Sequence, residues 1–350
     1  MQKNFKKILV VNVNWLGDVV FSAAVFKALK ETYSQAQIAC LAPSSVKAIL
    51  ESIPFVSEII SYDEEGCHKN LWGKLKLIGQ LRQKKFDASF ILHRSLTRAF
   101  LVFLAGIPIR VGYNTKGRRV FLTHPIPEPQ ETLHRQDYYL RILEGFGLVV
   151  KERKSFLQAD PQTLARLDDM LFQKGVGKED FVSILNPGGN WALKRWPKEN
   201  FIRLAQKLLV EFEARPNLKI VFSGACKDIP LVQEILKGLS INNQGKIINL
   251  TGQLNLKELI AFMKRANLVV SADSGPLHIA DSLGTQTIAI FGPTDPTITG
   301  PRGSGPSEIL RVDVGCNRGP CYYLDCPENT CMRAVTVEDV FEKIKDFIKK

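Results

Sequence analysis

Twice along its 350 residues this chain runs through the same alternation: a short apolar run rich in β-branched residues, then a stretch with helical spacing. Residues 7–12 (KILVVN) are apolar at consecutive positions, the pattern of a parallel strand buried on both faces. A turn at Trp15-Leu16-Gly17-Asp18 and helical spacing over 19–33 follow. Strand patterns recur at 37–41, 58–62 and 86–92, with helices around 45–52 and 69–84 between them. Residues 106–129 read as loops around short strands near 110–113 and 120–122, and helices are expected over 134–146 and 161–173. A second alternation starts with a strand at 182–185 and continues with strands at 219–223, 247–250, 268–271 and 287–291, each followed or preceded by a helical stretch. Alternation of this kind predicts βαβ units and parallel sheets. A chain of this length also exceeds what one core usually serves, so two α/β domains are expected.

The Gly/Lys/Asp-rich stretch at 175–180 is the natural boundary. It gives an N-terminal Rossmann-like domain over 1–175, a C-terminal one over 176–335 and a last helix in 336–350. No run of 18 or more apolar residues is present to span a bilayer. The basic start, Met1 to Lys7, is not followed by the clean apolar stretch of a signal peptide, so a cytoplasmic protein is expected. The formal net charge of +12 calls for anionic partners: nucleic acid, an anionic membrane surface or a phosphorylated substrate. No nucleic-acid-binding signature accompanies it, and nucleic acid is set aside.

In open α/β sheets ligands bind beyond the carboxyl ends of the strands. Four polar or Gly-rich clusters fall at such points. The first is Asn14-Trp15-Leu16-Gly17-Asp18, which lacks the G-x-G-x-x-G dinucleotide fingerprint. Its Asp18 either caps and complements the following helix or serves as general base for a hydroxyl nucleophile. The second is Asn186-Pro187-Gly188-Gly189-Asn190 with Lys194-Arg195 beyond it, where glycines allow close approach to phosphate and the cations suit a leaving diphosphate, or where a plain turn carries surface charge. The third, Ala272-Asp273-Ser274-Gly275-Pro276-Leu277-His278, opens a helix whose N-terminus is a ready anion site. The fourth is Phe291-Gly292-Pro293-Thr294-Asp295-Pro296. No Asp-x-Asp pair and no divalent-metal ligand spacing is found, so diphosphate neutralisation falls to Lys194 and the helix dipole.

With W-L-G-D at 15–18, G-Y-x-x-x-G-R-R at 112–119, N-P-G-G-N-W-x-x-K-R-W-P at 186–197, S-x-D-S-G-P-x-H at 271–278 and F-G-P-T-D-P at 291–296, the chain resembles the bacterial heptosyltransferases of glycosyltransferase family 9, of the heptosyltransferase II type. The resemblance implies a GT-B fold, two Rossmann-like domains whose parallel sheets face across a cleft, with the last helix packing back on the first domain. It implies metal-independent, inverting transfer of heptose from ADP-heptose to a phosphorylated, Kdo-lipid A type acceptor, with no cofactor and with peripheral contact with the inner membrane permitted. Asp18 matches the family's base and Lys194 its donor-phosphate lysine. Asp273, Ser274, Gly275, Pro276 and His278 match the donor segment, joined by Leu16, Gly17, Gly188, Gly189 and Asn190. Thr251, Gly252 and Leu254 fall at the nucleoside contacts, and Asp228 is the candidate for the ribose. Arg94, Arg98, Arg110, Lys116, Arg118 and Arg119 would give the acceptor side its positive charge. Other readings are a related transferase with another donor or acceptor, a nucleotide-sugar epimerase on the same fold, or a non-catalytic binding protein. Cys40, Cys67 and Cys226 are scattered, but Cys316, Cys321, Cys326 and Cys331 recur every five residues. This is not the C-x2-C pairing of common zinc sites, and a structural metal, free thiols or disulfides formed in vitro all remain open.

Overall fold

A computed structural model describes residues 4–239, 245–316, 321 and 326–348. It divides into two compact units, 1–158 and 159–350. The first contains β1 (Lys7–Val11), α1 (Leu16–Thr32), β2 (Gln37–Ala42), α2 (Lys47–Glu51), β3 (Glu58–Ser61), α3 (Leu71–Lys84), β4 (Ala88–Ile91), α4 (Leu96–Leu104), β5 (Ile109–Tyr113), β6 (His124–Ile126) and α5 (Arg135–Gly145). The second contains α6 (Pro161–Gln173), β7 (Phe181–Asn186), α7 (Lys198–Glu211), β8 (Leu218–Phe222), α8 (Ile229–Gly238), β9 (Ile247–Asn249), α9 (Leu256–Arg265), β10 (Leu268–Ala272), α10 (Gly275–Ser282), β11 (Gln286–Ile290), α11 (Pro296–Thr299), β12 (Ser307–Leu310), α12 (Thr330–Arg333) and α13 (Val337–Ile348).

Each unit holds one six-stranded sheet, in the orders β3-β2-β1-β4-β5-β6 and β12-β11-β10-β7-β8-β9, with every pairing parallel. Counted within each unit, both are the doubly wound 3-2-1-4-5-6 order of the Rossmann fold. The order reverses between β1 and β4 in one sheet and between β7 and β10 in the other, and these two switch points are where a ligand crevice opens. The central strands read as solid apolar runs because helices cover both faces: Ile8 to Val11 and Leu268 to Val270 are fully buried. Local signals set the helix starts. Asn70 accepts from Gly73 N–H at 2.8 Å to cap α3, and Asn255 and Glu258 form a capping box on α9.

Four features differ from the sequence expectation. The run at 120–122 is not a strand; Arg118–Phe121 form a 3₁₀ turn and the strand follows at His124. Helix α4 and strand β12 were not anticipated at all. The division falls after Gln158 rather than near 175, because α6 packs on α9, where Arg265 pairs with Asp168 at 3.4 Å. Helix α13, expected to return to the first domain, packs inside the second unit on α7, with Val340, Phe341 and Ile344 in the core that also holds Trp196 and Leu208. The Trp196 indole anchors its approach by donating to the Val335 carbonyl at 2.8 Å. No helix among the described residues is long and apolar enough to cross a membrane.

Candidate active site

In the first unit the loop after β1 is fastened from below before it reaches solvent. Asn12 is fully buried; its amide donates to Ser22 Oγ at 2.9 Å and its carbonyl side-chain oxygen accepts from Val13 N–H at 2.8 Å. Arg98, on α4, is also fully buried and donates to the Asn12 carbonyl (2.7 Å), Asn14 Oδ1 (2.7 Å) and Glu64 Oε2 (2.9 Å), with its guanidinium 5.2 Å from the centre of the Tyr62 ring. The switch-point loop is therefore tied to β1, β3 and α4 by one cation.

Asp18 sits in the first turn of α1, where the helix dipole favours an anion. Its Oδ1 accepts from the Tyr139 hydroxyl at 2.8 Å, and the Arg135 guanidinium stands 4.0 Å away. Tyr139 projects from α5, which packs along α1. Burial first, and then the Asp18 carboxylate, push the Tyr139 hydroxyl well above its ordinary pKa, so it remains a proton donor at every working pH. One carboxylate oxygen is thus fixed while the side chain keeps about a quarter of its surface exposed. Both roles weighed for Asp18, dipole partner and base, are compatible with this geometry.

The basic residues expected to meet an acceptor separate into two groups. Arg94, Lys116 and Arg119 are exposed, Arg94 within 3.1 Å of Glu128. Arg98 and Arg118 are not on that surface: both are fully buried. Arg118 donates to the Tyr113 carbonyl at 2.7 Å and to the His93 carbonyl, and burial lowers its pKa to about 10. It ties the turn that follows β5 to the loop that follows β4. Arg110 is half-buried over the Phe103 ring and donates to the Phe121 carbonyl at 2.6 Å.

In the second unit the residues after β7 and β10 converge. Asn186 donates to Ser271 Oγ at 3.1 Å, and Ser271 Oγ lies 2.8 Å from Ser274 Oγ. Asp273, almost fully buried, is gripped by Lys194 Nζ at 2.6 Å, His278 Nε2 at 3.1 Å and the Thr299 hydroxyl at 3.2 Å. Burial alone would raise its carboxyl. The hydrogen bond and charge from His278 and the Lys194 ammonium outweigh burial and hold it well below the usual carboxylate range. Ser274 starts α10 without capping it by its side chain, and Ser274, Gly275 and Pro276 are partly exposed, leaving the helix N-terminus open to an anion.

Asp228, expected at a ribose, is 3% exposed, accepts from Ala225 N–H at 3.0 Å and pairs with Arg195 at 3.6 Å. Its carboxylate lies against Gly188, where an added Cβ would come within 2.3 Å of Oδ2. Gly188 is thus demanded by packing, whereas Gly189 has open space at that position. Arg195 donates to the Gly189 carbonyl (2.6 Å) and pairs with Asp228, while Lys194 pairs with Asp273. Thr251, Gly252 and Leu254 follow β9 on the same carboxyl edge; Gly252 has φ +73°, and its N–H donates to the Gly224 carbonyl at 2.9 Å. Asn190 accepts from Lys227. Leu16 and Gly17 open α1 beside Asp18.

Cys316, Cys321, Cys326 and Cys331 are not disulfide-bonded, and among the described residues no three His, Cys, Asp or Glu side chains form a metal-binding group. Most of the chain between Cys316 and Cys326 lies outside the described residues.

Two Rossmann-like units that gather their polar residues at their switch points define the two-domain class of glycosyltransferases, GT-B. A sequence model of glycosyltransferase family 9 (heptosyltransferase) matches residues 74–323, and the chain belongs to that family of enzymes. It is 27% identical over 334 residues to lipopolysaccharide heptosyltransferase 2 of Escherichia coli K12, covering 89% of this chain and 90% of that one. The solved glycosyltransferase family 9 protein of Veillonella parvula matches with a TM-score of 0.86 at 24% identity, over 99% of this chain and 98% of that chain. Escherichia coli ADP-heptose LPS heptosyltransferase II matches with a TM-score of 0.80 at 24% identity, over 97% and 98%.

Tyr139 escaped the sequence reading because a tyrosine on the inner face of a helix looks like any core aromatic. Replacing it by Phe keeps the ring and removes the hydroxyl that holds Asp18. Transferase turnover should fall about tenfold, within the range for misaligned acid–base groups, with the KM for donor and the thermal midpoint nearly unchanged; an unchanged kcat would show that Tyr139 only packs. A second outcome concerns pH. His93, after β4, accepts from Ser95 N–H at 3.0 Å, and its imidazole is held down at about 4. Burial is the main cause, then the charge of Arg98; Glu64 opposes, and Arg118 and Lys116 add to the fall. The unfolded chain takes up this proton near 6.5 and the folded one refuses it, so the stability His93 contributes is complete above that pH and lost as pH falls from 6.5 toward 4. Urea midpoints measured across that window should decline, and less steeply in His93→Gln.

Proposed function

We propose that the protein is a cytoplasmic ADP-heptose:lipopolysaccharide heptosyltransferase that acts by a single, inverting, metal-independent displacement. The sugar, the nucleotide and the acceptor rest on its relatives, one named a lipopolysaccharide heptosyltransferase 2 and one an ADP-heptose LPS heptosyltransferase II. The observation that carries the mechanism is Asp18, a partly exposed carboxylate at the start of a helix with Oδ1 held by a tyrosine hydroxyl whose pKa burial raises well above its ordinary value.

In this reading Asp18 Oδ2 takes the proton of the acceptor hydroxyl as its oxygen bonds to the anomeric carbon of the heptose. The bond from that carbon to the diphosphate oxygen breaks on the opposite face, and ADP leaves. A developing diphosphate needs positive charge in place before the bond breaks. Lys194 and the open N-terminus of α10 supply it on the second unit, which is the physical basis for transfer without a metal ion. Asp273 and His278 keep the Lys194 ammonium extended when no donor is bound. Thr251, Gly252 and Leu254 take the nucleoside, with Gly189, Asn190, Leu16 and Gly17 completing the donor contacts. Arg94, Lys116 and Arg119 meet the phosphates and carboxylates of a Kdo-lipid A type acceptor on the first unit.

Thermal shifts with ADP, UDP, GDP and NAD test the donor. ADP alone should stabilise, by about 2.7 kcal/mol at a hundred times Kd, equally with and without EDTA, and Lys194→Ala should abolish most of the response. Asp18→Asn should lower kcat by about a thousandfold while ADP protection stays intact. Selective protection by UDP or GDP would overturn the donor, and an active Asp18→Asn enzyme would overturn the base.

A further inference from the structure

We propose that the outer face of the α3–α4 layer is a docking surface for an anionic lipid bilayer. Helices α3 and α4 lie side by side on the first sheet, and each is apolar on two sides. Leu77, Ile78 and Leu81 of α3, and Ala99, Leu101 and Val102 of α4, face inward and are buried. On their outer sides Leu71, Trp72 and Leu75 of α3 are 69%, 79% and 45% exposed, and Leu96, Phe100 and Phe103 of α4 are 44%, 39% and 41% exposed. Isolated exposed apolar residues need no explanation, but six large ones on two adjacent helices do. Phe121 packs against Phe100 and Phe103, and Arg110 lies over the Phe103 ring, yet both rings keep more than a third of their surface in solvent.

Charge identifies the occupant. From Gly66 to Thr123 twelve lysines and arginines are set against a single acid, Asp87, so this sixth of the chain carries +11 of the protein's formal net charge of +12. Lys69, Lys76, Lys116 and Arg119 of this segment are exposed. A protein-binding surface is depleted of lysine and needs acids as well as bases to match a partner. Lys84, Arg94 and Arg98 pair with Glu58, Glu128 and Glu64 outside the segment, but a face of Trp, Phe and Leu flanked by the exposed cations Lys69, Lys76, Lys116 and Arg119 is instead the composition of a helix surface lying at the headgroup boundary of a bilayer. There each cation near an anionic surface contributes about 1 kcal/mol. Both helices begin at the carboxyl edge of the sheet, and Arg98 of α4 holds Asn14 of the Asp18 loop. Docking by this face therefore brings the base close to the headgroup layer. That last step rests on the lipid-linked acceptor proposed above; the docking itself does not.

Sedimentation of the full chain with vesicles tests it without any substrate. The protein should pellet with phosphatidylethanolamine–phosphatidylglycerol vesicles, be released by high salt, and stay in solution with phosphatidylcholine vesicles. The double variant Trp72→Ser/Phe100→Ser, both at exposed sites, should bind about tenfold more weakly, and Lys76→Glu should weaken binding at low salt. The double variant should keep its turnover on a soluble, delipidated acceptor, which separates lost docking from lost chemistry. Wild-type protein that ignores anionic vesicles, or a double variant that binds as well as wild type, would overturn the proposal. So would a Trp72-dependent self-association in sedimentation velocity without vesicle binding, since the face would then cover a second copy.

Discussion

Because every strand in both sheets is parallel, all their carboxyl ends arrive at one edge of each sheet, and the chain must turn there with its polar backbone groups unpaired. This constraint decides where everything else is found. The loops after β1 and β4 in one unit, and after β7 and β10 in the other, cannot close onto neighbouring ladders, because the strand order reverses between them. In the first unit Arg98 meets one such group, the Asn12 carbonyl; in the second the loops are joined side chain to side chain, Asn186 to Ser271 and Asp273 to Lys194, His278 and Thr299.

The two buried guanidiniums show the energetic consequence. Removing a cation from water costs several kcal/mol even after relaxation, and the cost is recovered only if its donors are used. Arg98 spends its terminal nitrogens on a carbonyl, an amide oxygen and a carboxylate; Arg118 gives Nε and one terminal nitrogen to two carbonyls, and its other terminal nitrogen has no hydrogen-bond partner among the described residues. Neither guanidinium is exposed. The electropositive character of the first unit comes instead from cations such as Lys69, Lys76, Lys116 and Arg119, which remain in solvent.

Much of the architecture was legible in the sequence because buried parallel strands announce themselves as unbroken apolar runs. Residues 7–12, 182–185 and 268–271 each mark a central strand. Helix α4 was not legible: LTRAFLVFL is short and carries large apolar residues on its exposed side as well as its buried one. The end of the first unit was misjudged because Gly175 to Asp180 has linker composition, while the contact that decides the boundary, α6 against α9, is remote in sequence. The glycine- and proline-rich motifs carrying Asp18, Lys194 and Asp273 fall after β1, β7 and β10, as their sequence spacing implies. What they could not give was accessibility. Arg98, Arg118 and Asp228 have the chemistry of ligand-binding residues and the burial of structural ones, and only the fold separates the two. Tyr139 is the converse, an ordinary core position that acquires a role through one hydroxyl.

The account turns on Asp18 acting as base in one direct displacement, and the stereochemistry of the product tests that most directly. With the purified enzyme, ADP-heptose of known anomeric configuration and a soluble core acceptor, the new glycosidic linkage can be read by NMR. A single displacement assisted by Asp18 predicts a product whose anomeric configuration is opposite to that of the donor. A product that retains the donor's configuration would require a second displacement or a different nucleophile, and would contradict the role assigned to Asp18.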